Sequence, residues 1–343
     1  MSETETKNAK AAGPVVAVTG ASGFVGQSLC KALASRGWSV RALVRPGSDV
    51  EGLKRLGVQI LQGGLREKEA VHRMVDGVQG VFHLAGVTGH LFKPEAEYWD
   101  MNVTATKELL LAAQEHGLTR FIYLSTADVH GHISDPPAGE DAPMASDDIY
   151  QITKEHGEQA VLAANGKKGL GTIVIRPAKV YGPGDMRGLR LFKDIADGTF
   201  NMYGGGENFV HPVYIDDLVE GIILAFEPDK ATGRAYIMAG EEYVTLNQLA
   251  RTIAAAAGIE LRLRHVPGSI FQAYSSICET FCGFFGVEPP ISRRYVDLFI
   301  KNHAYRIDRA KNELGYAPKV SLEQGARRTI EWYRDKGLIQ SAA

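Results

Sequence analysis

Tyr150 and Lys154 stand four residues apart in Tyr150-Gln151-Ile152-Thr153-Lys154. On a helix that spacing places both side chains on the same side, about one turn from each other. A phenol titrates at about 10 and is a poor proton donor or acceptor at neutral pH. An ammonium group one turn away lowers that value electrostatically and makes the tyrosine usable as a general acid or base. A hydroxyl able to polarise a substrate oxygen is at hand in Thr126, which follows the apolar run Arg120-Phe121-Ile122-Tyr123-Leu124-Ser125. Any helix carries Tyr-x-x-x-Lys by chance now and then, so its weight depends on what surrounds it in the chain.

The elements that must position this pair begin at Val15-Val16-Ala17-Val18-Thr19-Gly20-Ala21-Ser22-Gly23-Phe24-Val25-Gly26. An apolar run, a glycine-rich turn and an amphipathic segment (Val25, Leu29, Leu33) read as a buried strand, a tight loop and the first helix of a βαβ unit. Gly20 lets the backbone turn, Gly23 lets it lie against a pyrophosphate, and Gly26 lets the helix pack on the strand. The helix N-terminus presents free N–H groups to the phosphates. Further strands are expected at Ser39–Val44, Val58–Gly63, Gly80–Gly86 and Gly171–Pro177, alternating with helices. That alternation argues an α/β fold, a doubly wound parallel sheet of Rossmann type.

Arg45 follows the second strand where a carboxylate would meet a ribose 2′-hydroxyl and an arginine suits a 2′-phosphate; this favours NADP(H), with NAD(H) as the alternative. His83 lies inside an apolar run and reads as a satisfied core histidine. Asn102 opens a helix expected over 103–114 and reads as its cap. Past residue 181 the texture changes to loops, helices and short strands, too interrupted to extend the sheet. The expected division is a tail over 1–13, a cofactor domain over 14–180 with 211–234 returning to it, and a substrate lobe over 181–210 and 235–343.

With 38 Lys+Arg against 40 Asp+Glu, a formal charge of −2, bulk electrostatics gives no reason to expect nucleic acid. No apolar run has the length of a membrane span, and the polar opening Met1-Ser2-Glu3-Thr4-Glu5-Thr6-Lys7 lacks the apolar stretch of a signal peptide. Three cysteines, Cys30, Cys278 and Cys282, suit a reducing compartment and are read as small core residues, not as a disulfide or metal framework. A cytoplasmic protein without a metal is expected.

Taken in order, Thr19-Gly20-x-x-Gly23-x-x-Gly26, His83-Leu84-Ala85, Asn102, Ser125-Thr126, Tyr150-x-x-x-Lys154 and Arg176-Pro177-x-x-Val180-Tyr181-Gly182-Pro183 resemble the extended short-chain dehydrogenases/reductases. The resemblance covers nearly all of the chain after Gly13. It implies hydride transfer with Thr126, Tyr150 and Lys154 as the working triad and Asn102 helping to hold the lysine through water. The implied cofactor contacts are Gly20, Gly23, Phe24, Val25, Gly26, Arg45, Leu65, Leu84, Ala85, Gly86, Tyr150, Lys154, Pro177 and Val180. The substrate would meet Thr88, Asp128 and Tyr181. The family's usual aspartate after the third strand is replaced here by Gly64 and Leu65, which leaves backbone contacts to the adenine.

Two features bear on the substrate. Nucleotide-sugar epimerases and dehydratases place an arginine ahead of the motif ending in Asp216-Asp217-Leu218, and that place holds Val210, which has no substitute for a bidentate phosphate contact. Arg187 and Arg190 are the arginines that compensation would use. Second, His265-Val266-Pro267, an aromatic run (Phe271, Tyr274, Phe281, Phe284, Phe285), Glu288-Pro289-Pro290, Ser292-Arg293-Arg294 and Leu314-Gly315-Tyr316 look like the 3β-hydroxysteroid dehydrogenase-like branch. That branch implies an apolar substrate, steroid-like or long-chain acyl, and admits a loose peripheral membrane contact; a homodimer is also expected. The alternatives are a nucleotide-sugar epimerase or dehydratase with tightly bound NAD, and a non-catalytic cofactor-binding protein of the same fold.

Overall fold

The computed structural model describes residues 13–88, 93–227, 230, 232–267 and 293–340. The aromatic run from Phe271 to Phe285, Cys278, Cys282 and residues 1–12 of the tail expected over 1–13 therefore lie outside the described residues. Six strands alternate with helices: β1 (Val15–Thr19), β2 (Ser39–Val44), β3 (Gln59–Gln62), β4 (Gly80–His83), β5 (Arg120–Leu124) and β6 (Gly171–Pro177). The helices between them are α1 (Phe24–Ser35), α2 (Glu51–Arg55), α3 (Lys68–Val75), α4 (Glu95–Trp99), α5 (Ala105–Glu115) and α6 (Ile149–Ala163).

Because side chains alternate across a strand, each strand feeds two cores. Val16 and Val18 of β1, Phe82 of β4 and Ile122 of β5 pack with Leu29 and Leu33 of α1 on one face. Ala17, Val81, Phe121 and Tyr123 pack with Met74 of α3 and Leu109 of α5 on the other. Burial on both faces is what near-continuous apolar strands require.

The chain continues through β7 (Lys179–Tyr181), α7 (Leu189–Ala196), β8 (Thr199–Tyr203), β9 (Phe209–Val210), β10 (Pro212–Tyr214), α8 (Ile215–Leu224) and β11 (Arg234–Met238). Here the structure corrects one expectation. β11 pairs in parallel with β6, Arg234 opposite Ile173 through Met238 opposite Pro177, and makes a seventh strand. The sheet order is β11-β6-β5-β4-β1-β2-β3. Arg234-Ala235-Tyr236-Ile237-Met238 is short and opens on a charge, but four of its five residues are buried.

The remaining elements among the described residues are β12 (Val244–Thr245), α9 (Leu246–Ala257), β13 (Arg262–Val266), helix Arg293–Ile300, a π-helical turn Ala310–Leu314 and helix Leu322–Asp335. β13 runs parallel to β8, with Arg262 opposite Thr199. β12 pairs antiparallel with β9.

Strand order reverses between β1 and β4, and a sheet of this kind opens a crevice at the carboxyl ends of those two strands. The glycine loop follows β1, the segment after His83 follows β4, and Thr126 lies just past β5, the strand beside β4.

Candidate active site

The two backbones nearly touch at the crevice. Thr19 of β1 lies opposite His83 of β4, so Gly20 faces the start of the next loop. Gly20 has φ +70°, and a Cβ there would stand 2.7 Å from the Ala85 nitrogen. Gly26 has no room either: its Cβ would lie 2.1 Å from the Gly20 carbonyl oxygen. Gly23 caps α1, and its N–H bonds to the Gly20 carbonyl at 3.0 Å. A Cβ on Gly86 would stand 2.7 Å from Asn102 Oδ1. Bare backbone on both sides of the crevice, facing the N-terminus of a 12-residue helix, fits a flat anionic dinucleotide. Ser125 Oγ, buried at the end of β5, has no hydrogen-bond partner among the described residues.

His83 fastens the crevice from below. Its ring is fully buried, with Nδ1 2.7 Å from Thr19 Oγ1 and Nε2 3.0 Å from Thr106 Oγ1. The Ala85 N–H donates to Thr19 Oγ1 at 3.2 Å, and the Thr106 hydroxyl donates to the Asn102 carbonyl at 2.8 Å. With those hydrogens committed, Thr19 donates to Nδ1 and Nε2–H donates to Thr106, so the ring is the neutral Nε2–H tautomer. Burial, and then the positive charge of Lys154, push its pKa down to about 3. It is a satisfied core histidine.

Asn102 does not cap a helix. It sits in a single turn of π-helix, Asp100–Thr104, between α4 and α5. Its Oδ1 accepts from the Val87 N–H at 2.8 Å, while Nδ2 donates to the Val87 carbonyl at 3.1 Å and to Thr153 Oγ1 at 3.0 Å. A π turn is a common device at functional sites. Here it aims the amide at the loop after β4 and at α6 instead of at its own helix end.

The start of α6 is set by Asp148, whose carboxylate accepts from the Gln151 N–H at 2.8 Å. Tyr150 is thereby in the first turn and Lys154 in the second. Lys154 is 4 % exposed. Its Nζ donates to the Leu124 carbonyl and lies 4.1 Å from the centre of the Tyr123 ring. Desolvation pulls the ammonium down to about 7, against an opposing pull from Glu158. Thr126 is buried at the end of β5, and its Oγ1 accepts from the Asp128 N–H at 3.2 Å. That bond leaves the hydroxyl hydrogen of Thr126 uncommitted.

Of the other expected contacts, Leu65 and Pro177 are buried, Phe24, Val25, Leu84, Ala85 and Val180 are half-buried, and Arg45 is exposed just past β2. Thr88 and Asp128 are half-buried and Tyr181 is buried. Asp128 lines a cavity of about 40 Å³ with Gln151, Val210, His211, His303 and Tyr305. His303 Nδ1 lies 3.3 Å from the Tyr305 hydroxyl and 3.9 Å from Asp128 Oδ1. Val210 is 2 % exposed. Arg187 is engaged with Asp185 at 3.2 Å, and Arg190 with Asp194 at 3.8 Å and the Tyr295 ring at 4.8 Å.

Sequence reasoning missed Thr153, His303 and the buried pair Glu158–Arg176. Glu158 repeats the Tyr150-to-Lys154 interval once more, a signal legible in the sequence.

The profile of the NAD dependent epimerase/dehydratase family matches residues 16–239. The chain belongs to that family. As a member of it, the protein is a nicotinamide-dependent oxidoreductase of the extended short-chain type. It is 33% identical over 325 residues to a 2-alkyl-3-oxoalkanoate reductase of Stenotrophomonas maltophilia, covering 91% of this chain and 97% of that one. It is 30% identical to a 3-beta-hydroxysteroid dehydrogenase of Mycolicibacterium neoaurum, covering 93% and 91%. Among solved structures it resembles gox2253, with TM-score 0.79, 30% identity and 95% and 100% coverage. A UDP-glucose 4-epimerase of Thermotoga maritima shares the fold, with TM-score 0.77, 24% identity and 94% and 99% coverage. No helix among the described residues is long and apolar enough to cross a membrane.

Proposed function

We propose that this family member is an NADP(H)-dependent dehydrogenase or ketoreductase interconverting a hydroxyl and a ketone on a small apolar molecule, steroid-like or long-chain acyl. The observation that carries the reading is the buried Val210 beside Asp128, where a nucleotide-sugar enzyme would need a diphosphate grip. Arg187 and Arg190, the arginines available to compensate, are engaged with carboxylates of their own segment. The reductase and steroid dehydrogenase similarities support it. Three cysteines in the chain agree with a cytoplasmic setting.

Gly20, Gly23, Gly26 and Gly86 would hold the dinucleotide, with Arg45 at a 2′-phosphate; the bound nicotinamide supplies or takes the hydride. Thr126 donates a hydrogen bond to the substrate oxygen and fixes the carbonyl in the crevice. Tyr150 delivers a proton to that oxygen in reduction and removes it in oxidation. Lys154, one turn below, stabilises the phenolate left behind. Asn102 pins the loop after β4 and α6 together, which fixes the distance between the two halves of the site.

The test is a panel of a 2-alkyl-3-oxoalkanoate, a 3β-hydroxysteroid and a UDP-hexose, followed by nicotinamide absorbance with NADPH/NADP+ and with NADH/NAD+. Turnover of either apolar compound, faster with the phosphorylated cofactor, is expected. Conversion of the UDP-hexose alone, with NAD surviving dialysis, overturns the reading. Arg45→Asp repels a 2′-phosphate and accepts from a 2′-hydroxyl, so it swings preference toward NAD(H); a wild type that already prefers NAD(H) refutes the role given to Arg45.

A further inference from the structure

Helix α6 carries a third ionisable side chain on the same stripe as Tyr150 and Lys154. Glu158 lies one turn beyond Lys154, at the interval that brings side chains of a helix together. It is completely buried. Its carboxylate is gripped by Arg176 at the end of β6: Nε donates to both oxygens at 3.1 Å, and Nη2 donates to Oε1. Arg176 is itself 3 % exposed. Its Nη1 donates to the Glu140 carbonyl at 2.9 Å and to His130 Nε2 at 3.1 Å. The His130 ring is held from its other side by the Pro143 carbonyl at 3.2 Å.

A buried ion pair is a poor choice for stability alone, because apolar residues of the same volume usually serve as well or better. What an ion pair has and an apolar pair lacks is a field. Lys154, also buried and one turn away on the same helix, is a group that receives it: the charge of Glu158 favours its protonated form. The other groups around Lys154 are poorly placed to set its charge. Tyr123, from β5, presents its ring, and its phenol is pushed well above the usual range by burial. His83, from β4, is held neutral by its two threonines. His130 stands beyond Arg176, and burial and that guanidinium hold it neutral as well. Tyr150 is the group Lys154 serves. That leaves one buried carboxylate, paired with a cation, Arg176.

We propose that Glu158 is a positioning residue that keeps Lys154 protonated in the working enzyme, and that Arg176 sets how much of that carboxylate's field reaches the lysine. The proposal rests on the assignment of Lys154 as the partner of Tyr150 and of the cofactor. The stripe is then a relay of charge control two turns long: Glu158 acts on Lys154, and Lys154 on Tyr150. Glu158 touches neither substrate nor cofactor.

The two charges predict opposite signs. Glu158→Gln removes the anion and leaves Arg176 as a second buried cation, so Lys154 loses its proton at lower pH. Arg176→Gln leaves Glu158 uncompensated, so Lys154 keeps its proton to higher pH. The readouts are the pH midpoint of NADPH binding, by nucleotide fluorescence, and the pH profile of kcat with whichever panel substrate is turned over. An opposite charge at this range shifts a titration by about one unit or more. The binding midpoint should move down by about one unit in Glu158→Gln and up by a similar amount in Arg176→Gln.

A role confined to holding the fold would weaken binding at every pH with the midpoint in place. Equal midpoints in wild type and both variants, or shifts of the same sign, overturn the proposal. Should a single variant fail to fold, Glu158→Gln/Arg176→Gln removes both charges together. Its midpoint is expected below that of wild type, because the nearer charge is the anion; an unchanged midpoint overturns the proposal. Lys154→Met run alongside separates the two failures. If it leaves the midpoint intact, the assignment of Lys154 itself is wrong; if it abolishes the midpoint while the other variants do not move it, only the relay is wrong.

Discussion

His83 makes the fold acid-sensitive by an amount that the structure sets. In the native state both ring nitrogens are committed, one accepting and one donating, and there is no acceptor for a second ring proton. The native pKa is about 3, whereas an unfolded histidine titrates at about 6.5. Below that value the unfolded chain binds a proton that the native protein refuses. Stability is therefore intact above pH 6.5 and falls as the pH is lowered toward 3. Each unit within that window removes about 1.4 kcal/mol. Between pH 7.5 and pH 4.5 this one residue accounts for about 2.7 kcal/mol of lost stability.

Other buried groups contribute in the same direction, His211 among them, whose pKa burial pushes down to about 4. The informative quantity is the difference between proteins. His83→Gln keeps a donor and an acceptor between Thr19 and Thr106 but has no proton to gain. It is expected to be less stable than wild type at pH 7.5, by about 1–3 kcal/mol for an imperfectly matched buried polar group. At pH 4.5 that gap closes by about 2.7 kcal/mol and brings the two proteins level or inverts their order. The assay is urea unfolding followed by tryptophan fluorescence at both pH values, with the slope of the transition checked for constancy. A gap of the same size at both pH values refutes the reasoning, because it would mean that the native ring accepts the proton after all.

Tyr150→Phe removes the proton relay and keeps the ring, so kcat falls by about 10²–10⁴ while the NADPH dissociation constant stays within about twofold; near wild-type turnover refutes the role of the phenol. Gly26→Ala puts a methyl 2.1 Å from the Gly20 carbonyl oxygen, backbone against side chain with no rotamer to escape into. The loop must shift, and NADPH affinity drops about tenfold or more, read by fluorescence titration; unchanged affinity shows that the loop does not meet the phosphates.

The first half of the chain is legible because its signals are local. Glycines at 20 and 26 stand where a Cβ would strike backbone, the apolar run before them is buried, and the helix after them buries one stripe, Leu29, Cys30 and Leu33. Ser39–Val44 and Gly171–Pro177 form strands over the spans that their composition marks out. The second half is built from pairings that no local pattern announces. β8 and β13 lie about sixty residues apart in sequence and pair in parallel, Thr199 with Arg262. β11 joins the main sheet across α8 with only five residues, and its polar opening hides a strand whose other members are buried.

The misreadings have a physical pattern. An asparagine ahead of an apolar helix is a good cap by propensity, and Asn102 fails to be one only because the chain inserts a π turn and brings Val87 and Thr153 within reach of its amide. Short polar side chains take whichever partner the fold presents, and the partners of Asn102 lie 15 and 51 residues away. The same holds for Arg176. In the sequence it is the first residue of Arg176-Pro177, a strand end. In the fold it reaches back to a helix that began 27 residues earlier and meets Glu158, the carboxylate on the stripe of Tyr150 and Lys154. Types and spacings therefore single out the groups proposed to carry the chemistry, because those groups share a helix face or a loop. The groups that tune them are drawn from other strands, and their roles are settled only when the sheet is assembled.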